Sequence, residues 1–152
     1  MLVGKNIPTA ATDPEESEAS DCGLLLVKGN VTGEKSGGGR RIQWSDTNSL
    51  PRISIGQRPE YLTGLIGGGG SGVKTKDGTL VFPVEGTKKD GEAQNDEKAV
   101  SLLIYTLKDK KSWTVSKWMS DGGCSNPSIV EWKDNQLMMM TACDDGRRRV
   151  YE

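Results

Sequence analysis

The chain has 152 residues, which is enough for one domain or part of a larger one and too few for two sizeable cores. Its 20 basic and 21 acidic residues give a net charge of -1, which excludes the strong basic field of a general nucleic-acid or anionic-lipid binder. The same charge balance predicts no nucleic-acid partner. The lack of histidine removes the commonest acid–base group and metal ligand, so we expect no metal and no cofactor.

The first half of the chain shows little periodicity. Residues 6–21 are polar and acidic and predict an exposed loop. Residues 24–27 form a short apolar run that ends at Lys28-Gly29-Asn30, which predicts a strand entering a turn, and residues 42–44 predict the returning strand. Two prolines, Pro51 and Pro59, favour an irregular crossing segment over residues 50–61.

A glycine-rich run at residues 67–75 is close to a phosphate-binding loop, since Gly67, Gly72, Lys74 and Thr75 nearly match the spacing of that motif. Val73 breaks the spacing, and residues 76–78 predict a turn where the motif needs the N-terminus of a helix. We therefore interpret the run as a flexible entry into a strand.

The second half has a clear pattern of short apolar runs separated by turn residues. The runs lie at residues 80–84, 100–107, 113–118, 129–132 and 136–141. Strands at such regular intervals with short links predict an all-β fold built as an antiparallel meander. The four tryptophans lie in predicted strands, and this placement favours positions in the hydrophobic core. The alternative is that they stack on sugar rings.

Two features bear on the cellular compartment. Asn30-Val31-Thr32 is a glycosylation sequon, which is useful only in the secretory pathway, although such triplets also occur by chance. Cys124 and Cys143 can pair in an oxidising compartment, and the odd count of three cysteines leaves Cys22 over. The sequence has neither a signal-peptide pattern nor an apolar run near the roughly 20 residues that cross a bilayer.

The most specific pattern lies in residues 121–152, which closely resemble a consecutive stretch of the trypanosomal trans-sialidase superfamily. The matching pieces are Gly122-Gly123-Cys124-Ser125-Asn126-Pro127, Val130-Glu131-Trp132, residues 137–141 and residues 147–152. Residues 78–84 resemble the strand that precedes this stretch, and residues 24–31 an earlier one. The resemblance is strong over residues 65–152 and weaker over residues 21–64.

This resemblance implies a six-bladed β-propeller. At about 40–45 residues per four-stranded blade, residues 1–152 supply about three blades and form an incomplete sialidase-type propeller domain. The family's Asp-box motif, Ser-x-Asp-x-Gly-x-Thr-Trp, is eroded over residues 106–113, where Lys108 replaces the aspartate and Lys110 the glycine.

In active members, as the resemblance implies, three arginines clamp the sialate carboxylate, an aspartate is the acid/base, and a tyrosine paired with a glutamate is the nucleophile. Those members have Cys-Ser-Glu-Pro where this chain has Asn126 in place of the glutamate, and an arginine where it has Ala142. The remaining catalytic residues are expected outside residues 1–152. We therefore assign no catalytic residue here and take Glu85 and Asn126 as ligand-contact candidates.

The resulting hypothesis is a fragment of a trans-sialidase-like surface glycoprotein without activity. Its family binds or cleaves sialylated host glycans, so the expected partners are sialylated or galactose-containing host glycans or matrix proteins. The expected location is the cell surface or the exterior, with a lipid anchor when the protein is complete and Asn30 as the glycosylation site. The alternatives are a fragment of an active exo-α-sialidase or trans-sialidase, and a truncated gene copy without function.

Overall fold

The computed structural model describes residues 1–4, 24–33, 39–49, 62–67, 70–89, 97–106, 112–133 and 136–152. The predicted acidic loop at residues 6–21, the predicted crossing segment at residues 50–61 and the middle of the eroded Asp box at residues 107–111 lie outside these ranges. Cys22 lies outside them as well.

Three antiparallel sheets make up the described structure, which confirms the all-β prediction. The first sheet contains β1 (Leu2–Gly4), β2 (Leu24–Thr32) and β3 (Arg41–Ser49). The second contains β4 (Leu62–Gly67), β6 (Leu80–Lys89), β7 (Glu97–Thr106) and β8 (Trp113–Met119) in that order, with the short β5 (Val73–Lys74) also paired to β6. The third contains β9 (Cys124–Lys133), β10 (Gln136–Cys143) and β11 (Arg148–Tyr151). Within the described ranges, no helix has the length and apolarity of a bilayer-spanning segment.

The hydrophobic core lies in and against the second sheet. Val84, Val100, Leu102 and Ile104 are completely buried on its two central strands, because both faces of those strands are covered. The first sheet adds Leu24 to the same cluster, so the first and second sheets share one core. Four antiparallel strands that pack between two other sheets are typical of a propeller blade.

The turn predicted at Lys28-Gly29-Asn30 is wrong, because β2 continues through it to Thr32. Gly29 pairs with Trp44 on β3, and a Cβ at Gly29 would lie 2.8 Å from both Ile42 Cγ2 and Trp44 Cε3. The aromatic ring therefore covers a backbone position where only glycine fits. This cross-strand packing compensates for the poor strand propensity of glycine.

The core interpretation of the tryptophans is wrong for three of the four. Trp113 is buried and packs near Phe82, with their ring centroids 5.9 Å apart. Trp44, Trp118 and Trp132 are 52%, 40% and 60% exposed. The alternation of a strand places every second side chain on the other face, and that face is open at each of these positions.

The predicted turn at residues 76–78 is confirmed, and the Asp77 carboxylate organises it. Asp77 Oδ1 accepts hydrogen bonds from the Thr75 hydroxyl at 2.5 Å and from the Thr79 amide at 3.0 Å, and Asp77 Oδ2 accepts one from the Thr79 hydroxyl at 3.1 Å. These hydrogen bonds hold the pKa of Asp77 below its ordinary value, and the bond from Thr75 has the largest effect. Strand β6 follows the turn, so the helix that a phosphate-binding loop requires is not there.

A charged cluster fixes β11 against the link between β8 and β9. Arg149 donates to Asp121 Oδ2 at 2.5 Å and to Asp145 Oδ2 at 2.9 Å. The Tyr151 hydroxyl donates to Asp121 Oδ2 at 3.1 Å and accepts from the Asp121 amide at 3.2 Å. Because Asp121 follows the second sheet and Arg149 lies in the third, the cluster ties two sheets together.

We expect this cluster to stabilise the fold above about pH 3.8 and to fail in acid. Hydrogen bonds, chiefly from Arg149 for Asp121 and from the Arg147 amide for Asp145, lower both carboxyl pKa values below the ordinary 3.8. A depressed native pKa adds stability above the unfolded pKa, and that stability is lost as the pH falls through the native pKa. In urea unfolding, Arg149→Met should therefore be less stable than the wild type at pH 7, and the difference should shrink as the pH falls below 3.8. A constant deficit across this pH range would contradict the ionic origin.

Candidate functional site

The structure brings the two ligand-contact candidates together. Glu85 lies on β6 of the second sheet, and Asn126 lies near the start of β9 in the third. The Asn126 backbone N–H donates to Glu85 Oε1 at 2.8 Å across 41 residues of sequence. Glu85 is partly buried and Asn126 is exposed, so the pair forms a polar surface where the two sheets meet.

Asn126 occupies a β-bulge. Met140 on β10 pairs with Ser128, and Ala142 pairs with Ser125, so Asn126 and Pro127 together face the single residue Thr141. Asn126 has a φ of 52°, the left-handed region that asparagine tolerates better than most residues with a Cβ. The extra residue and the unusual φ re-aim the Asn126 side chain relative to a regular strand, as bulges beside functional sites commonly do.

Ala142 lies beside this bulge. Its register partner is Ser125, the residue immediately before Asn126, so the two positions that the sequence resemblance singles out are neighbours on adjacent strands. The Ala142 methyl group offers neither a charge nor a hydrogen bond. Asn126 offers a neutral amide, whose Nδ2 donates to Ser125 Oγ at 3.4 Å.

A disulfide between Cys124 and Cys143 closes the end of the β9–β10 pair next to these residues. It joins register partners whose Cα atoms are 4.0 Å apart. The sequence left the pairing open, and the structure selects Cys124 with Cys143. The bridge limits how far Asn126 on β9 and Ala142 on β10 can move relative to each other.

Neutral hydrogen bonds join the second and third sheets beneath the site. The Ser101 hydroxyl donates to the Cys124 carbonyl at 3.0 Å, and the Gly123 amide donates to the Ala99 carbonyl at 2.8 Å. Ser101 is completely buried and is the register partner of Glu85. Among the described residues, every buried side-chain polar atom has a partner, so the junction carries no unpaired buried polar group.

Gly70 also packs against the site, although the sequence suggested only a flexible segment there. A Cβ at Gly70 would lie 2.5 Å from the Pro127 carbonyl oxygen and 3.2 Å from Ser128 Cα. The glycine therefore allows the chain before β5 to approach the backbone of β9 closely. The high glycine content of residues 67–72 is the sequence feature that indicates this close approach to the backbone of β9.

Comparison with known proteins identifies the family. A profile of the BNR repeat-like domain matches residues 1–152. The chain belongs to the BNR repeat-like domain family. A sialidase of Trypanosoma cruzi is 32% identical over 155 residues, covering 100% of this chain and 13% of the relative. Sialidase 85-1.1 of the same organism is 36% identical over 132 residues, covering 84% of this chain and 16% of the relative.

Solved structures confirm the propeller fold. The Trypanosoma rangeli sialidase in complex with the inhibitor DANA matches with a TM-score of 0.70 at 24% identity, covering 99% of this chain and 24% of that one. The same enzyme in complex with sialic acid matches with a TM-score of 0.62 at 23% identity over 84% of this chain. The three sheets are therefore part of a sialidase-type propeller, and this BNR repeat-like chain spans less than a fifth of the length of its curated T. cruzi relatives.

The contact between Glu85 and Asn126 should contribute measurably to the stability of this BNR repeat-like domain. Glu85→Ala leaves the backbone N–H of Asn126 without its acceptor. A hydrogen bond to a charged group is worth about 1.5 to 3 kcal/mol. Because Glu85 is partly exposed, we expect a loss near the low end. Glu85→Gln keeps an acceptor oxygen and should lose less. Urea unfolding measures both losses, and amide hydrogen exchange at Asn126 should become faster in Glu85→Ala.

Glu97 provides a matched control on the neighbouring strand β7. It is exposed, so Glu97→Ala should change the unfolding free energy by no more than about 0.5 kcal/mol. If Glu85→Ala and Glu97→Ala lose equally little stability, the contact with Asn126 does not contribute to the fold.

Proposed function

We propose that this chain is part of a non-catalytic, glycan-binding member of the trans-sialidase-like surface glycoproteins. The single observation that carries the proposal is the state of position 126, the family glutamate position by resemblance. An asparagine stands there, in a bulge with a φ of 52°, and its backbone N–H donates a hydrogen bond to the Glu85 carboxylate. The position is thus an ordered, neutral hydrogen-bonding group beside an acidic one.

Chemistry at this position supports the absence of activity. A phenol is a poor nucleophile until a neighbouring base takes its proton, and a carboxamide is not a base at ordinary pH. The methyl group of Ala142 lies where the resemblance places a carboxylate-clamping arginine. Loss of such a charge-assisted contact costs on the order of 2 kcal/mol of binding free energy.

The groups that remain suit binding better than cleavage. The Asn126 amide can both donate to and accept from sugar hydroxyl or acetamido groups, and the second carboxylate oxygen of Glu85 can accept from them. We infer that the partners are sialylated or galactose-containing host glycans or matrix proteins. The complex of T. rangeli sialidase with sialic acid supports the sialylated class, because this chain shares the fold of that protein.

An extracellular location fits two structural features. The Cys124–Cys143 bridge requires an oxidising compartment, which the cytosol does not provide. Asn30 is exposed on β2, where a glycosyltransferase can reach it, and the sequon hydroxyl of Thr32 donates to the Arg41 carbonyl at 3.3 Å. We propose that the protein is secreted or held at the cell surface and that Asn30 is glycosylated. Protein from the native cell should shift in mobility on peptide N-glycosidase digestion, and Asn30→Gln should remove the shift that this site causes.

The enzymatic alternative is favoured by the relatives that are named sialidases. The deciding experiment uses the complete natural product that contains these residues. We expect no fluorophore release from a fluorogenic sialoside, together with binding to sialylated glycans on an array. Fluorophore release above the background of a mock purification would overturn the non-catalytic assignment. If native cells contain no translated product, the truncated gene copy is the correct account.

A further inference from the structure

A cavity of about 420 Å³ lies between the second and third sheets. Its walls include Trp118 on β8, Trp132 at the end of β9 and Tyr151 on β11. Leu137 and Met139 of β10 also line it. The volume falls within the roughly 300 to 1,000 Å³ that is usual for small-molecule sites, which are likewise mostly apolar.

This cavity is distinct from the candidate site. Trp132 follows Asn126 by six residues on the same strand, so at about 3.3 Å per residue the two positions are roughly 20 Å apart. The cavity adjoins the ends of β9 and β11 and the start of β10, whereas Asn126 and Ala142 lie at the opposite end of the β9–β10 pair. The two sites can therefore be tested separately.

The aromatic wall is held in place before any ligand arrives. Tyr151 and Trp118 form an edge-to-face pair with ring centroids 4.9 Å apart. The Tyr151 hydroxyl is fixed by two hydrogen bonds with Asp121, so the ring that supports Trp118 is anchored at its far end. A rigid aromatic surface binds with a small loss of side-chain entropy.

Polar groups at the cavity define the class of ligand. Gln136 and Glu152 line it beside the aromatic rings and are exposed, and they offer an amide and a carboxylate to hydroxyl groups. A pyranose ring matches this arrangement, because its C–H faces are apolar and its edge carries hydroxyls. None of the described lining residues is cationic, and Glu152 would repel an anionic sugar.

We propose that this cavity binds an uncharged hexopyranose, with Trp118 and Trp132 stacking on the sugar ring. The proposal gives a function to two exposed tryptophans that neither the core nor the candidate site uses. The ligand class differs from sialic acid, which carries a carboxylate, so the cavity would contact a neutral residue of a glycan.

Indole N–H resonances of the purified, nitrogen-15-labelled chain test the proposal with methyl β-galactoside and methyl β-glucoside as probes. The four tryptophans give four resonances, and we expect those of Trp118 and Trp132 to shift on titration. Trp113 is buried in the core and Trp44 lies on the first sheet, so their resonances should stay in place. Trp118→Ala or Trp132→Ala should weaken binding at least about tenfold, as truncating an aromatic anchor commonly does.

Trp44→Ala is the matched control, because Trp44 is as exposed as the cavity tryptophans and lies outside the cavity. It should leave the affinity unchanged. The proposal is wrong if neither sugar shifts Trp118 or Trp132, or if Trp44 shifts with the same concentration dependence. It is also wrong in ligand class if free sialic acid shifts Trp118 and Trp132 at lower concentration than the neutral sugars. The unmodified chain alone decides these three outcomes, so a variant that fails to fold leaves the test intact.

Discussion

Removing the Cys124–Cys143 disulfide should lower the free energy of unfolding by about 3 kcal/mol, the value expected from chain entropy for a loop of this size. The bridge joins residues 19 apart and closes the end of the β9–β10 pair. Without it, the unfolded chain regains the freedom that the loop had removed. Domains of this size are stable by only about 5 to 15 kcal/mol, so the loss is a large fraction of the total.

The experiment compares the wild type with Cys124→Ala/Cys143→Ala in urea, monitored by tryptophan fluorescence. Reduction of the wild type should reproduce the effect of the double substitution. Cys22→Ala removes a thiol and leaves the bridge intact, so it controls for the loss of cysteine as such. If the double variant loses less than about 1 kcal/mol, residual contacts between these segments already restrict the unfolded chain without the bridge.

Much of the second and third sheets could be predicted from the sequence, because apolar runs there alternate with turn residues. The predicted runs are shorter than the observed strands. The run at residues 80–84 marks only the apolar part of β6, which continues to Lys89 by pairing its backbone with β7 down to Glu97. Apolar pattern reports burial, whereas backbone pairing extends a strand beyond the core.

The first sheet and the tryptophans show where local patterns mislead. Gly29 predicts a turn from its own propensity, yet the cross-strand contact of Trp44 keeps it in β2. Trp118 and Trp132 have strand spacing that favours the core, but neither is buried. Which face of a strand is covered depends on the neighbouring sheet, and the sequence of one strand does not contain that information.

The candidate site was predictable in part. The resemblance selected positions 126 and 142, and the register of β9 with β10 places them side by side. The hydrogen bond from the backbone N–H of Asn126 to Glu85 depends on how one sheet packs against another, and no local sequence pattern encodes that packing. The backbone at Asn126 also departs from the local rule, because a residue before proline prefers an extended conformation, whereas here φ is 52°.

Because of this φ, we expect the stability of the bulge to depend most strongly on the residue at position 126. The order in which residues are tolerated there should differ from the order in a regular strand. Glycine adopts positive φ freely, asparagine tolerates it, and other residues with a Cβ lose about 1 to 2 kcal/mol there. We therefore expect Asn126→Gly to be as stable as the wild type. Asn126→Ala and Asn126→Glu should lose about 1 kcal/mol, and Asn126→Ile about 2 kcal/mol or more, since a branched Cβ is disfavoured most strongly.

Val130 supplies the matched control on the same strand. It is exposed, and Asn126 is the one described residue other than glycine with positive φ, so the order of preference should reverse there. Val130→Ile should be neutral and Val130→Gly should destabilise, because a pleated strand favours branched side chains. If Ile at position 126 is as stable as Asn in urea unfolding, the bulge does not hold this φ in solution. The same series bears on the choice of residue: a glutamate at position 126 would place a carboxylate there only at a cost in stability, and Asn126 avoids that cost.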